Sequence, residues 1–379
     1  MIKIMQKVKV LVTGAKGFVG KNLVATLKTS DKYEVLEFDI DTDKKLLDKY
    51  VKECSFVCHL AGVNRPQNAT EFYEGNSSFT AELIESLKKA KSNAPMLISS
   101  STQATLDNDY GKSKLQAEQA VRDYGKAVKT QTYVFRLPNV FGKWARPNYN
   151  SAVATFCHNI ANDLDIVVNN RDTELALVYV DDVVKAFISC IEGTLKLDGE
   201  FASVVPVHNQ TLGSIVDLLY SFKEFRQNNF VASQTANSFS KKLYATYTSY
   251  LPTDAFSYPL KMNVDNRGSF TEFLKTNDYG QVSINVSKPG ITKGNHWHHT
   301  KNEKFLVVSG SGIIAFKRID DSKIIEYHVS GDKLEVVDIP TGFTHNIKNT
   351  GNTDLVTVMW ANEILDTNNP DTYFLDVGN

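Results

Sequence analysis

The sequence is short of cysteine, of net charge and of long apolar runs, and each shortage removes a class of protein. Four cysteines in 379 residues cannot frame a disulfide scaffold. Cys54, Cys58, Cys157 and Cys190 also lack metal-ligand spacing, and the Cys54-x-x-x-Cys58 pair reads as two small apolar residues rather than a redox couple. A formal net charge of −1 gives nucleic acid or an anionic membrane no electrostatic reason to bind. No apolar run reaches the roughly 18 residues that span a bilayer. The stretch Val8–Thr13 is short and runs straight into a glycine turn, so it reads as a strand and not as a signal peptide. A cytoplasmic protein with no membrane and no nucleic-acid partner is expected.

What is present suits two globular domains. The apolar and charged fractions, 42% and 22%, are those of folded proteins, and the length exceeds one ordinary core. Up to about residue 220, short apolar runs alternate with amphipathic stretches. Val8–Val12, Glu34–Phe38, Phe56–Leu60 and Met96–Ile98 read as buried parallel strands, with helical patterns at Lys21–Leu27, Thr80–Lys88 and Ser113–Tyr124 between them. That alternation predicts a Rossmann-like, doubly wound α/β sheet over residues 1–245. After about residue 260, strands follow one another through glycine turns. Lys304–Val308, Gly312–Lys317, Ile324–Val329, Lys333–Ile339 and Leu355–Trp360 predict an all-β barrel or sandwich over residues 258–379. The polar, tyrosine-rich stretch near 240–258 is expected to be the linker.

Thr13-Gly14-Ala15-Lys16-Gly17-Phe18-Val19-Gly20 follows the first strand and opens the first helix. Gly14 permits a tight turn, Gly17 lets backbone approach a pyrophosphate, and Gly20 lets helix and strand pack closely. The helix start then offers amide donors to phosphate, which makes Lys16 and Phe18 candidate cofactor contacts. Asp39 ends the second strand, where an acid accepts the adenosine ribose hydroxyls. With Asp41 beside it, charge repulsion favours NAD over NADP, while Lys16, Lys44 and Lys45 pull the other way. Tyr110 and Lys114 lie one helical turn apart, soon after the strand end Ser99-Ser100-Ser101. A nearby ammonium is expected to lower the phenol pKa and make Tyr110 a general acid or base toward a carbonyl oxygen.

At these residues the chain resembles the extended short-chain dehydrogenase/reductase family, over roughly residues 7–240. His59-Leu60-Ala61-Gly62 is similar to its motif near the nicotinamide ribose, which brings Leu60 and Ala61 into the cofactor set. Arg136-Leu137-Pro138-Asn139-Val140-Phe141-Gly142 and Val180-Asp181-Asp182-Val183 resemble its later signatures. The resemblance implies that Ser101, or else Ser100, orients the substrate oxygen. It implies that Tyr110 exchanges the proton and that Lys114 binds the nicotinamide ribose while tuning Tyr110.

In the second half, His296-x-His298 sets two imidazoles on one side of a strand. Glu303 follows after a short turn, and His345 adds a third imidazole from a later hairpin. Three imidazoles and a carboxylate suit a divalent transition metal such as Zn2+. His299 is left to solvent or to an outer position. The pattern Gly294, His296, His298, Glu303, Gly310 with Pro340, Gly342, His345, Asn349 resembles both motifs of the cupin family. Asp265-Asn266-Arg267-Gly268-Ser269-Phe270-Thr271-Glu272 resembles the dTDP-4-dehydrorhamnose 3,5-epimerases, which are cupin-shaped and use no metal. Their base aligns with His296, which here sits among metal-ligand residues, so that role does not transfer.

The order of the halves, with the run Asn295–Phe305, is similar to a family of bifunctional capsular-polysaccharide enzymes. That resemblance implies a homodimer using NADPH and zinc on a UDP-linked 4-keto-6-deoxy-2-acetamido hexose. The cupin would invert C3 and the reductase would reduce the C4 ketone, giving UDP-2-acetamido-2,6-dideoxy-L-talose, a precursor of N-acetyl-L-fucosamine. NADPH is expected, with NAD as the alternative. Two other readings stay open at this point: an NAD-dependent dehydratase or 4-epimerase with a sugar-binding cupin, and a non-catalytic cofactor sensor.

Overall fold

The computed structural model describes residues 7–64, 68, 70–197, 199–231 and 237–378. Contacts divide the chain into two units: residues up to Tyr220 with Ser238–Pro252, and Ser221–Asn237 with Thr253 onward. The stretch expected as a linker is in good part a helix, Ser238–Thr248. Its Phe239, Leu243 and Tyr247 are buried, spaced at helical intervals that the polar composition had masked. The first boundary falls inside the helix Leu212–Gln227, well before residue 240.

The N-terminal unit is built on β1 (Val8–Thr13), β2 (Tyr33–Phe38), β3 (Phe56–His59), β4 (Met96–Ser101) and β5 (Thr132–Leu137). These pair in parallel in the order β2-β1-β3-β4-β5. Both faces are covered, as period-2 side chains demand. Val10 and Val12 enter one core with Leu23, Leu27, Val183 and Phe187. Leu11 enters the other with Leu47, Leu83, Val121 and Tyr124. The strand order reverses between β1 and β3, and the glycine loop and Leu60-Ala61 leave the sheet there, where doubly wound folds bind ligands. A small second sheet joins β6 (Asn139–Phe141), β7 (Glu174–Tyr179) and β8 (His208–Thr211).

The C-terminal unit is antiparallel. One sheet holds β9 (Met262–Asp265), β10 (Gly268–Thr276), β11 (Gly280–Ser287), β13 (Glu303–Ser309), β16 (Val336–Ile339) and β18 (Leu355–Ala361). The other holds β12 (Thr292–Trp297), β14 (Ser311–Arg318), β15 (Ile324–Ser330), β17 (Phe343–Asn349) and β19 (Tyr373–Phe374). The closed barrel expected from the sequence is not formed: among the described strands no ladder joins one sheet to the other. The chain changes sheets at Gly310 (φ 82), a turn that hands β13 over to β14 without pairing them. Strand β16 is also shorter than the predicted Lys333–Ile339. One apolar core, with Phe305, Ile314, Phe316, Ile339, Ile347 and Leu355, fills part of this unit.

Candidate functional site

In the N-terminal unit the glycine loop is shaped by close approach. A Cβ on Gly14 (φ 68) would lie 2.6 Å from the Ala61 amide nitrogen, and one on Gly20 would lie 2.0 Å from the Gly14 carbonyl oxygen. Gly17 caps the helix Phe18–Lys28 without a side-chain bond, so the first amides stay open to an anion. Asp39 accepts from the Lys16 amide at 2.7 Å and from the Ile40 amide at 2.8 Å, and the Lys16 ammonium pairs with Asp41. Gly14, Lys16, Gly17, Phe18, Gly20 and Leu60 line a cavity of about 720 Å³ that Ser101, Tyr110 and Lys114 also line. Asp39 and Ala61 lie outside that lining. Ala61 contributes the backbone wall against which Gly14 rests. The cradle that only glycine can form fits a dinucleotide pyrophosphate.

Tyr110 sits in the first turn of the helix Asp109–Val128, whose start is fixed by Asn108 accepting the Gly111 amide at 2.8 Å. Its hydroxyl donates to the Asn64 side-chain oxygen at 2.9 Å. Burial pushes the phenol pKa up, against a hydrogen bond with Ser101 that pulls it down. The expectation that Lys114 lowers the phenol pKa is therefore not met in the ligand-free site. The Lys114 ammonium stands 5.9 Å from the Tyr110 ring centroid, too far to outweigh burial. Burial also drives the Lys114 pKa down to about 8, despite Glu118. A Cβ on Gly62 would meet Lys114 Nζ and the Asn76 side-chain oxygen at 2.8 Å each, so a larger residue there would displace one of them.

Ser100 and Ser101 differ in their partners. Ser100 is buried and donates to Glu118 at 2.5 Å, and Arg136 clasps the same carboxylate with a 2.7 Å bond. Ser101 is half-buried, lines the cavity and bonds Tyr110. Of the two later stretches singled out in the sequence, Leu137–Val140 lines the cavity while Arg136 holds Glu118, and Asp181 and Asp182 hold Lys143 and Lys242 at 2.5 and 2.7 Å. His59 is buried between Thr13 at 2.7 Å and Thr80 at 2.8 Å, and burial with the field of Lys114 pushes its pKa down to about 3. The thiols of Cys54 and Cys58 are unbridged and their pKa values are raised by burial, in line with two apolar residues. Asn64 and Asn76 were missed. Nothing in their sequence context marks them, because their partners are distant in the chain.

In the C-terminal unit, β12 and β17 pair so that His296 lies directly opposite His345. A bulge at Asn295 (φ 60) and Gly294 (φ 107) precedes this pair, and a Cβ on Gly294 would press on the Asn346 backbone at 2.9 Å. The imidazole centroids are 4.6 to 5.4 Å apart. Glu303 arrives from the other sheet, its Oε2 3.2 Å from His298 Nε2 and 3.3 Å from His345 Nε2. One donor atom from each of His296, His298, Glu303 and His345 lies within 4.8 Å of the others.

Chemistry says that this cluster fits a cation. Both ring nitrogens of His345 are buried, Nδ1 without a hydrogen-bond partner and Nε2 facing only the Glu303 carboxylate at 3.3 Å. Burial pushes the His296 pKa down to about 4, so the ring is a neutral donor at physiological pH. Burial alone would raise the Glu303 pKa, but bonds from His298 and His345 hold its carboxyl well below the usual range. Three imidazoles around a carboxylate are the donor set of a zinc-type site. The cluster opens on a cavity of about 750 Å³ also lined by Asp265, Arg267, Asn285 and Lys293. His299 is exposed and lies edge-on to Trp297 and Tyr373.

Comparison with known proteins agrees with this division. Residues 10–198 match the NAD dependent epimerase/dehydratase family, and residues 263–373 match the polysaccharide biosynthesis C-terminal domain. The UDP-glucuronic acid 4-epimerase of Bacillus cereus shares the fold of the first part, with 17% identity, TM-score 0.54, and coverage of 64% of this chain and 98% of that one. The fold and these matches define an NAD(P)-dependent oxidoreductase joined to a second, β-rich domain. At full length, the chain is 44% identical to the UDP-2-acetamido-2,6-beta-L-arabino-hexul-4-ose reductase of Pseudomonas aeruginosa, covering 98% of this chain and 99% of the relative. It is 55% identical to the crystal structure of the capsular polysaccharide assembling protein CapF of Staphylococcus aureus, with TM-score 0.92 and coverage of 97% and 99%. The chain belongs to the CapF family.

Proposed function

We propose that this enzyme performs two consecutive steps on a UDP-linked 4-keto-6-deoxy-2-acetamido hexose. The C-terminal domain inverts C3, and the N-terminal domain reduces the C4 ketone with NADPH to give UDP-2-acetamido-2,6-dideoxy-L-talose for capsule synthesis. The observation that carries this reading is that each domain holds its own built site in a cavity of about 700 Å³ or more. The reductase step is supported by the likeness to the UDP-2-acetamido-2,6-beta-L-arabino-hexul-4-ose reductase of Pseudomonas aeruginosa.

The two chemistries need each other. A C4 ketone acidifies the C3 proton, because the resulting carbanion delocalises onto oxygen as an enolate. Epimerisation then requires proton removal and return from the opposite face, with the enolate stabilised between. Reduction of the ketone ends that acidity and locks the new configuration. In the N-terminal cavity, Ser101 orients the ketone oxygen and Tyr110 gives its proton to that oxygen as it becomes an alkoxide. Lys114 holds positive charge beside the phenol and binds the ribose. With its pyrophosphate in the glycine cradle, the cofactor would supply the hydride from its nicotinamide. In the C-terminal domain, His296, His298, Glu303 and His345 would hold one zinc ion, which would supply Lewis-acid stabilisation of negative charge on oxygen.

NADPH is preferred over NADH in this reading, because Lys16 neutralises Asp41 and Asp39 is turned onto backbone amides. A kcat/KM favouring NADH would show instead that the acids at the ribose decide. The protein works as a cytoplasmic homodimer. The whole assignment is tested by incubating it with the UDP-linked keto-sugar in deuterated water, with and without NADPH, and reading products by NMR. Deuterium should enter C3 without NADPH, and the talose product should accumulate with it. Loss of the keto-sugar without any C3 exchange would overturn the epimerase half.

A further inference from the structure

We infer that Asp371 is a positioning residue for the metal centre: it sets the tautomer and direction of His298. This rests on the metal reading above, but it stands on hydrogen bonds that are present without metal. The loop between two ligands, residues 299–302, follows the end of β12 and lies outside any strand. Its amides therefore have no ladder to satisfy them. Asp371 takes three in succession: its carboxylate accepts from His299 at 2.9 Å, Thr300 at 2.7 Å and Lys301 at 2.8 Å, and from the Thr300 hydroxyl at 3.1 Å. Asn362 accepts the fourth, from Asn302, at 3.0 Å.

The same residue reaches the ligand through its backbone. His298 Nδ1 lies 2.5 Å from the Asp371 carbonyl oxygen. A carbonyl can only accept, so Nδ1 carries a proton, and Nε2 is the nitrogen turned toward Glu303. The carboxylate grips the loop while the carbonyl grips the ring, so one residue fixes both the His298 imidazole and the backbone that follows it. Neighbouring bonds keep Asp371 in place. His296 pairs with Phe374 and Trp297 with Tyr373, the Leu375 amide donates to Asn295 at 3.0 Å, and Lys301 donates to Thr372 at 3.3 Å. Outer partners that orient a ligating imidazole typically govern metal affinity by roughly 10- to 100-fold.

The test uses the full-length protein, stripped of metal by chelator and titrated with zinc against a chromophoric competitor. Asp371→Ala should bind zinc roughly 10- to 100-fold more weakly than wild type, and Asp371→Asn, which keeps one acceptor oxygen, should fall between. The second readout needs no metal. Nitrogen NMR of the metal-free protein should show His298 protonated at Nδ1 in wild type and a mixed tautomer in Asp371→Ala, with Asp371→Asn intermediate. Equal zinc affinity in all three proteins, or an unchanged His298 tautomer in Asp371→Ala, would overturn the inference. Absence of zinc binding in wild type with the tautomer effect intact would overturn the metal reading and leave the Asp371–His298 link standing. If Asp371→Ala fails to fold, Asp371→Asn carries both readouts.

Discussion

Along β1 of the N-terminal sheet, Val10 and Val12 enter one apolar core and Leu11 the other, whereas along β11 every buried side chain from Gln281 to Ser287 is polar. The α/β sheet devotes both faces to packing, so its chemistry is pushed to the strand ends. There, the glycine loop and the turn carrying Tyr110 are local and self-contained. The two-sheet domain packs apolar side chains in one part of its interior and leaves another part polar. Its site is therefore assembled inside, from strands distant in sequence. A domain with two apolar faces shows its site through contiguous motifs, and a domain with a polar interior shows it only through scattered ligands.

That contrast can be broken most sharply in the reductase. Tyr110→Phe keeps the ring but removes the proton, and should lower ketone reduction by about two to four decades. It should leave deuterium exchange at C3 untouched, as followed by NMR in deuterated water. Loss of exchange in this variant, with zinc still bound, would place both steps in the N-terminal site.

His345→Ala makes the converse cut. It removes one of the four proposed ligands, which should weaken zinc binding by at least about 100-fold, more than an outer partner would. Elemental analysis should find the purified variant depleted of zinc, and C3 exchange should disappear. Cofactor binding, followed by nucleotide fluorescence, should stay near wild type because the glycine cradle lies in the other unit. Abolished cofactor binding would show that the two domains are not energetically separate.

The smallest effect concerns stability. Burial holds Lys114 at a pKa of about 8, below the 10.5 of a free lysine. Between those values the unfolded chain binds more protons, so this group makes stability rise with pH, and its cost is fully present below about 8. Lys114→Met should therefore stabilise the cofactor-free N-terminal domain by about 1–3 kcal/mol near neutral pH. The advantage should shrink as pH rises toward 10.5, the free-lysine value. Thermal denaturation followed by helical circular dichroism checks this, and a gap constant with pH would remove the burial argument.

The sequence by itself determined the parts whose physics is local. A β-branched run before Gly14-Ala15-Lys16-Gly17 has few ways to fold other than strand, tight turn and helix. Tyr110 and Lys114 meet because a helical turn brings them together. The His296, His298, Glu303 and His345 set was also legible, since imidazoles in such a pattern have a restricted chemistry. Only the tertiary structure decided matters that depend on distant partners. Gln281-Val282-Ser283-Ile284-Asn285 alternates in a way that composition assigns polar-side-out, yet the polar side lines the interior, because β18 and β10 flank it and the cavity lies within. The helix Ser238–Thr248 looked like a linker until Phe239, Leu243 and Tyr247 found a surface to bury against. Ser100 is tied to Glu118, itself held by Arg136 from another strand, which leaves Ser101 as the serine lining the cavity. Asp371 gave no local signal at all, because a hydrogen bond across 73 residues has no period and no motif; only the fold brings its carbonyl to His298.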